Sequence, residues 1–158
     1  MTVSQVTLVA PHAEHWGAFH CGNERIDRKL VRQVSLAELG LVRLHGVQVG
    51  GTVQGVLTLQ VGVLQAPLEV IHQFGVSSDV PTLHVEVLAV REAAQGRGYG
   101  RLLIEHALEI GVGMSQMVGL KTLSLEATEQ SAGFYAALGF DAAAPWPDGS
   151  VPMWFTLN

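Results

Sequence analysis

The apolar positions of this chain change period several times, and each change predicts an element. Ile26, Leu30, Val34 and Ala37 recur at helical spacing, which predicts an amphipathic helix over Glu24 to Leu39, stopped by Gly40. A short strand is expected at Thr7 to Val9. Leu41 to Leu44 and Val53 to Val61 read as two strands joined through residues 45–51, with Gly50-Gly51 suited to a hairpin turn. From Gly62 to Pro81 the pattern is mixed: Val70, Ile71 and Phe74 point to order, Ser77-Ser78-Asp79 and Pro81 to a loop. Leu83 to Val90 is the central strand, and Gly98 to Ile110 or a little beyond is a helix with Leu103, Ala107, Ile110 and Met114 as its apolar stripe. Thr122 to Ala127 reads as a strand and Glu129 to Leu138 as a short helix ended by Gly139. In that helix Phe134 is a better core candidate than Tyr135. Phe140 to Ala143 and Met153 to Leu157 complete the set, separated by Pro145-Trp146-Pro147-Asp148-Gly149. One α/β domain over residues 1–158, without internal repeats, accounts for the pattern.

Composition narrows the class. A chain of 158 residues with 48% apolar content can bury one real core. A net charge of −5 argues against a wholesale nucleic-acid-binding surface but leaves room for a local basic patch. Arg25, Arg28, Lys29 and Arg32 fall at i, i+3, i+4 and i+7, on a helix face opposite Ile26, Leu30 and Val34. Such a stripe can meet an RNA backbone, and it reads equally as a solvated face. Cys21 is the only cysteine, so there is no disulfide within the chain and no cysteine metal site. The seven histidines lack metal-ligand spacing, and no metal is expected. Met1 to Ala10 lacks the charged start and apolar core of a signal peptide, and no stretch has transmembrane length. The expectation is a cytoplasmic protein with no membrane partner.

The chemistry concentrates at Gln95-Gly96-Arg97-Gly98-Tyr99-Gly100. A strand, a glycine-rich turn and a helix in that order gather backbone N–H groups at a helix N-terminus, where they can hold a pyrophosphate. Glycine lets the backbone approach the phosphates and permits positive φ. Arg97 inside the turn can add charge; Arg101 can as well, although it also reads as a surface residue of the first helical turn. The spacing is neither the dinucleotide fingerprint nor a P-loop.

With Val87-Leu88-Ala89-Val90 upstream and Phe134-Tyr135-Ala136-Ala137-Leu138-Gly139-Phe140 downstream, the sequence resembles the GNAT superfamily of acetyl-CoA-dependent N-acetyltransferases. The family signature Gln/Arg-x-x-Gly-x-Gly/Ala is met by Gln95, Gly98 and Gly100. The resemblance implies a central mixed, mostly antiparallel sheet flanked by helices, with acetyl-CoA as co-substrate and no metal. It assigns the coenzyme to Gln95, Gly96, Arg97, Gly98, Tyr99, Gly100 and Arg101, and to the backbone of Leu88, Ala89 and Val90. Thr128 stands where the family often has an asparagine that contacts the coenzyme arm.

Acetyl transfer to an amine needs a neutral nucleophile, a stabilised oxyanion and a proton for the departing thiolate. The resemblance places a tyrosine acid at Tyr135, whose phenol, with an ordinary pKa of about 10, stays protonated at pH 7. His84 and Glu86, two apart on the central strand, project to one face. His84 falls where protein-acetylating relatives carry a catalytic glutamate; Glu86 can act instead through water, and some relatives use no protein base.

The segment Phe19 to Leu30 and the strand Val53 to Leu59 are similar to GNAT toxins of bacterial toxin–antitoxin pairs. Those enzymes acetylate the amino group of aminoacyl-tRNA and are neutralised by a ribbon-helix-helix antitoxin. The toxins tend to carry a glycine and an arginine where this chain has His84 and Glu86. Dimerisation is common in the family. Three readings follow: an N-acetyltransferase acting on a primary amine by direct attack, the same chemistry on aminoacyl-tRNA as a toxin, and a catalytically silent acetyl-CoA-binding domain. Tyr135 and the polar pair on the central strand weigh against the third.

Overall fold

A computed structural model of the chain describes residues 5–12, 16, 18–65, 67–76 and 79–158. Among them are seven strands: β1 (Val6–Val9), β2 (Leu44–Val49), β3 (Thr52–Val63), β4 (Pro81–Val90), β5 (Thr122–Ala127), β6 (Asp141–Ala142) and β7 (Val151–Thr156). The helices are α1 (Glu24–Glu38), α2 (Pro67–Phe74), α3 (Tyr99–Ser115) and α4 (Ala132–Ala137). The strands form one sheet in the order β1-β2-β3-β4-β5-β7-β6. Strands β4 and β5 run parallel, while β1–β2, β2–β3, β5–β7 and β6–β7 are antiparallel. The chain thus forms the expected mixed, mostly antiparallel sheet with helices. By contact density it packs as two compact units, residues 1–59 with 86–107 and residues 60–85 with 108–158.

In the first unit, Val9, Leu44, Val53, Val56, Val87 and Ala89 of the sheet bury against Leu30 of α1 and Phe19, with Ile26, Val34 and Ala37 partly buried beside them. The amphipathic stripe read from the sequence is the face that packs. Asn23 caps α1 by accepting the Ile26 N–H on Oδ1 at 3.2 Å, which satisfies one of the amides a helix start leaves open. Gly55 has no Cβ because one there would sit 3.0 Å from a Leu103 methyl; this lets α3 lie close on β3.

The strand expected at Leu41 to Leu44 lies instead at Leu44–Val49. A register shift between Val47 and Gln48 interrupts its pairing with β3, so Gly46 and Val47 are both buried and the two-residue alternation is lost. Gly50-Gly51 does make the hairpin turn, between Val49 and its partner Thr52.

In the second unit, Leu64, Val70, Val80 and Trp154 form a core, and the Trp154 indole N–H donates to Gln73 Oε1 at 2.9 Å. The mixed stretch after Gly62 resolves into the end of β3 and helix α2. Ser77 and Ser78, expected in a loop, lie outside the described residues. Helix α4 is shorter than the span Glu129 to Leu138, β6 is shorter than Phe140 to Ala143, and β7 begins two residues before Met153. Among the described residues no helix is long and apolar enough to cross a membrane, and no cluster of three metal-ligating side chains occurs.

Candidate functional site

The glycine turn belongs to the first unit. Strand β4 ends at Val90, a short 3₁₀ turn covers Glu92–Ala94, and α3 begins at Tyr99. Gly96 and Gly98 have φ of +79° and +87°, a left-handed backbone on either side of Arg97. A Cβ on either would meet nothing within 4 Å, so glycine serves the backbone conformation here, not internal space. The first helical bond runs from the Leu102 N–H to the Gly98 carbonyl at 3.1 Å. The amides of Tyr99, Gly100 and Arg101 therefore precede the helical ladder, and they carry the positive end of the α3 dipole.

Two side chains between β4 and α3 tie this segment to the backbone around it. Gln95 Nε2 donates to the Val90 carbonyl at 3.0 Å and to the Cys21 carbonyl at 2.7 Å. Arg91 donates from Nε to the Val53 carbonyl and from a terminal nitrogen to the Ala18 carbonyl, both at 3.1 Å, with its guanidinium over the Phe19 ring. Gln95, expected at the coenzyme, is held by these carbonyls, and Arg91 carries no motif in the sequence that signals its part. Both side chains are spent on backbone carbonyls, leaving the turn's own N–H groups as its polar face. Arg97 is exposed within the turn, whereas Arg101 pairs with Glu105 at 2.9 Å.

Along β4, Leu83, Val85, Val87 and Ala89 are buried, while His84, Glu86, Leu88 and Val90 alternate with them on a half-buried face. His84 and Glu86 thus share one face of the strand, as their spacing requires. In the first unit Glu86 is matched by Lys29 Nζ at 3.3 Å, so Lys29 turns from the basic stripe of α1 toward the strand. Arg25, Arg28 and Arg32 remain on the exposed side of α1.

His84 belongs to the second unit and meets β5. The parallel register sets Thr82 beside Thr122 and His84 beside Ser124. Nδ1 of His84 lies 2.8 Å from Ser124 Oγ, Ser124 Oγ lies 2.6 Å from Thr82 Oγ1, and Thr82 Oγ1 lies 3.2 Å from the Thr122 carbonyl. Both hydroxyl residues are buried. Nothing local in the sequence announces this chain, because its members are 40 and 42 residues apart.

Tyr135 is 7% exposed, with Phe134 at 5.0 Å and Phe140 at 5.8 Å between ring centroids. Burial pushes its phenol up to about 12. Phe134, expected in the core, is the exposed member of the pair at 40%. Thr128 sits ahead of α4, where its hydroxyl accepts the Ser131 N–H at 3.1 Å and Ser131 Oγ accepts the Thr128 N–H at 3.0 Å. At Cys21 burial, with Asp27 beside it, pushes the thiol up to about 11, away from the thiolate form. A further feature the sequence did not announce is a histidine pair, His106 Nε2 on α3 at 3.0 Å from His45 Nδ1 on β2.

Comparison with known proteins agrees with this layout. The model of the acetyltransferase (GNAT) domain matches residues 47–142, well over half of the chain. No curated protein sequence matches it. Among solved structures, a bacterial toxin superposes with a TM-score of 0.81 at 20% identity, over 99% of this chain and 92% of that one. The toxin AtaT in complex with acetyl-methionyl-tRNAfMet gives 0.77 at 22% identity, over 98% and 95%. A tyrosine-to-phenylalanine variant of AtaT, bound to the C-terminus of the antitoxin AtaR and to acetyl-CoA, gives 0.76 at 21%, over 99% and 94%. At these identities the likeness speaks for the fold. The chain belongs to the GNAT acetyltransferase family.

Proposed function

We propose that this GNAT acetyltransferase moves an acetyl group from acetyl-CoA directly to a primary amine, and that its acceptor is the α-amino group of an aminoacyl-tRNA. The observation that carries the donor is the pair of positive-φ glycines ahead of α3, which leaves consecutive amides at a helix start for a pyrophosphate. Gly96, Gly98, Tyr99 and Gly100 supply those amides, and Arg97 adds a charge. The backbone of Leu88, Ala89 and Val90 follows the pantetheine arm and donates to the thioester oxygen as it gains charge.

In the reaction the amine nitrogen bonds to the thioester carbon and the carbon–sulfur bond breaks. His84 takes the proton the amine loses, and Tyr135 offers its O–H to the departing thiolate. A phenol raised to about 12 is fully protonated at pH 7 and recovers its proton after each turnover. Glu86, already matched by Lys29, is the weaker choice of base.

Two observations favour aminoacyl-tRNA. Arg25, Arg28 and Arg32 line the exposed side of α1, where they can meet phosphates. Solved neighbours that match nearly the whole chain are toxins, one of them in complex with acetyl-methionyl-tRNA. The reading implies a cytoplasmic enzyme with tRNA and an antitoxin as partners. The test follows thiol release from acetyl-CoA with charged tRNA, uncharged tRNA, short peptides and small amines. Charged tRNA should be the acceptor, and changing Arg25, Arg28 and Arg32 to Glu should cut its use at least about tenfold. Release with small amines or peptides but not charged tRNA would move the acceptor to that class. Coenzyme binding without any release would make the domain a silent binder.

A further inference from the structure

We propose that Gln33 is an acceptor-binding residue, whose side-chain oxygen accepts an N–H from the amine that is to be acetylated. This deepens the function proposed above and rests on the acceptor being an amine.

Of the fifteen residues of α1 only two are buried, Leu30 and Gln33. Leu30 belongs to the core of the first unit, where Ile26, Val34 and Ala37 are only partly buried. At 6% exposure a glutamine thus holds a more enclosed place than three apolar neighbours on its own helix. Its Oε1 has no hydrogen-bond partner, and an amide oxygen shut away from water without a donor weighs against the fold. Among the described residues the Thr58 hydroxyl on β3 is the other buried side-chain atom in that condition. Thr58 is fully enclosed at 0% exposure, whereas Gln33 retains a little accessible surface.

The course of α1 indicates what brings a donor there. Gln95 ties the Cys21 carbonyl, just ahead of α1, to the Val90 carbonyl at the end of β4. Further along the helix, Lys29 Nζ meets Glu86 of the same strand at 3.3 Å. Helix α1 therefore runs back along β4, and Gln33 follows Lys29 in the i to i+4 row, about 6 Å on along the axis. The coenzyme arm is assigned to Leu88, Ala89 and Val90, nearer the end of the strand. A group that reaches Gln33 from beside Glu86 thus comes from the acceptor. A carbonyl oxygen can only accept, and a neutral primary amine has two N–H bonds to offer. One N–H held by Gln33 leaves the lone pair to bond to the thioester carbon, and the proton lost comes from the other. A carboxylate in this place would hold the amine as its ammonium ion, whereas a neutral amide adds no charge that favours protonation. Glu86, the carboxylate nearby, is already matched by Lys29.

The test is Gln33→Met in the full chain, which keeps the length of the side chain and removes its polar atoms. Because the free protein loses no hydrogen bond at Oε1, Tm should hold or rise by a few degrees. The KM for the acceptor should rise about tenfold while the KM for acetyl-CoA stays within about twofold. A Tm below that of wild type would mean that the amide is bonded within the fold, and it overturns the proposal. So does an unchanged KM for the acceptor. A rise in the KM for acetyl-CoA instead would give the oxygen to the coenzyme arm and overturns it too. Gln33→Leu, shorter and equally apolar, decides the outcome should Gln33→Met fail to fold. Failure of the function proposed above is seen in the wild type. Wild-type protein that releases no thiol with any amine removes the acceptor, and the role of Gln33 with it. Wild-type protein that acetylates a peptide and not charged tRNA changes the acceptor's class, and Gln33→Met is then read on that peptide.

Discussion

The turn at Gln95 to Gly100 and the His84 neighbourhood on β4 are both polar, but they are made of different material. The turn presents backbone amides, oriented by two glycines at φ +79° and +87° and clamped by Gln95 and Arg91. The His84 neighbourhood presents side chains, aligned because two parallel strands set Thr82, His84, Thr122 and Ser124 in register. A surface made of backbone survives loss of a side chain and fails when the main chain is bent. A surface made of side chains responds the other way. The two regions therefore call for opposite kinds of substitution, and the kinetic parameter each one moves should differ.

Tyr135, in the same unit as His84, gives the largest expected effect. Tyr135→Phe removes one oxygen from a buried ring and leaves the contacts with Phe134 and Phe140 in place. A lost acid typically costs at least about a hundredfold in rate. We expect kcat to fall by that order while the Kd for acetyl-CoA stays within about twofold, a factor worth about 0.4 kcal/mol. A variant that turns over as fast as wild type removes the acid role. One that loses coenzyme affinity instead would place Tyr135 among the binding groups and blur the contrast.

The turn should break in the complementary way. Gly98→Ala adds a methyl that meets no atom, so its effect is that of the left-handed backbone alone, about 1–2 kcal/mol. Gly98→Asp adds a carboxylate to the same strain. We expect acetyl-CoA affinity to drop about tenfold in the first variant and further in the second, read as loss of the coenzyme-induced rise in Tm. Normal binding by Gly98→Asp would show that the pyrophosphate lies elsewhere.

The same contrast explains what could be read in the sequence. The turn, the strand before it and the helix after it are contiguous, so glycine spacing and apolar period together locate them. Pairing across the sheet is not contiguous. That Ser124 faces His84 depends on which strand lies beside β4 and in what register, and neither is encoded locally. Lys29 was legible as a member of a basic stripe but not as the partner of Glu86, for the same reason. Strand β2 was displaced by several residues because its irregular register buries Gly46 beside Val47, while His45 and Gln48 read as polar loop. Hydrophobicity ranks Phe134, the ring without a hydroxyl, first for the core, whereas the short helix α4 turns position 135 inward.

The smallest expected effect concerns the histidine pair, which tests whether the turn's unit relies on its backbone throughout. His106 lies on α3, the helix that starts at the turn, and it is tied to His45 on β2 at 3.0 Å. Burial, and then the neighbouring His106, lower the pKa of His45 below its ordinary 6.5. Between that lowered value and 6.5 the unfolded chain binds more protons than the folded one, so stability falls as the pH drops through this window and is fully present above 6.5. We expect Tm to fall by a few degrees at most between pH 7.5 and pH 5.5, with acetyl-CoA absent. His45→Asn should flatten part of that slope and change Tm little at pH 7.5. An equally steep slope in the variant would assign the acid sensitivity to other groups. A flattened slope would mean that α3, although it begins in a turn made of backbone, is held further along by a side-chain contact that titrates.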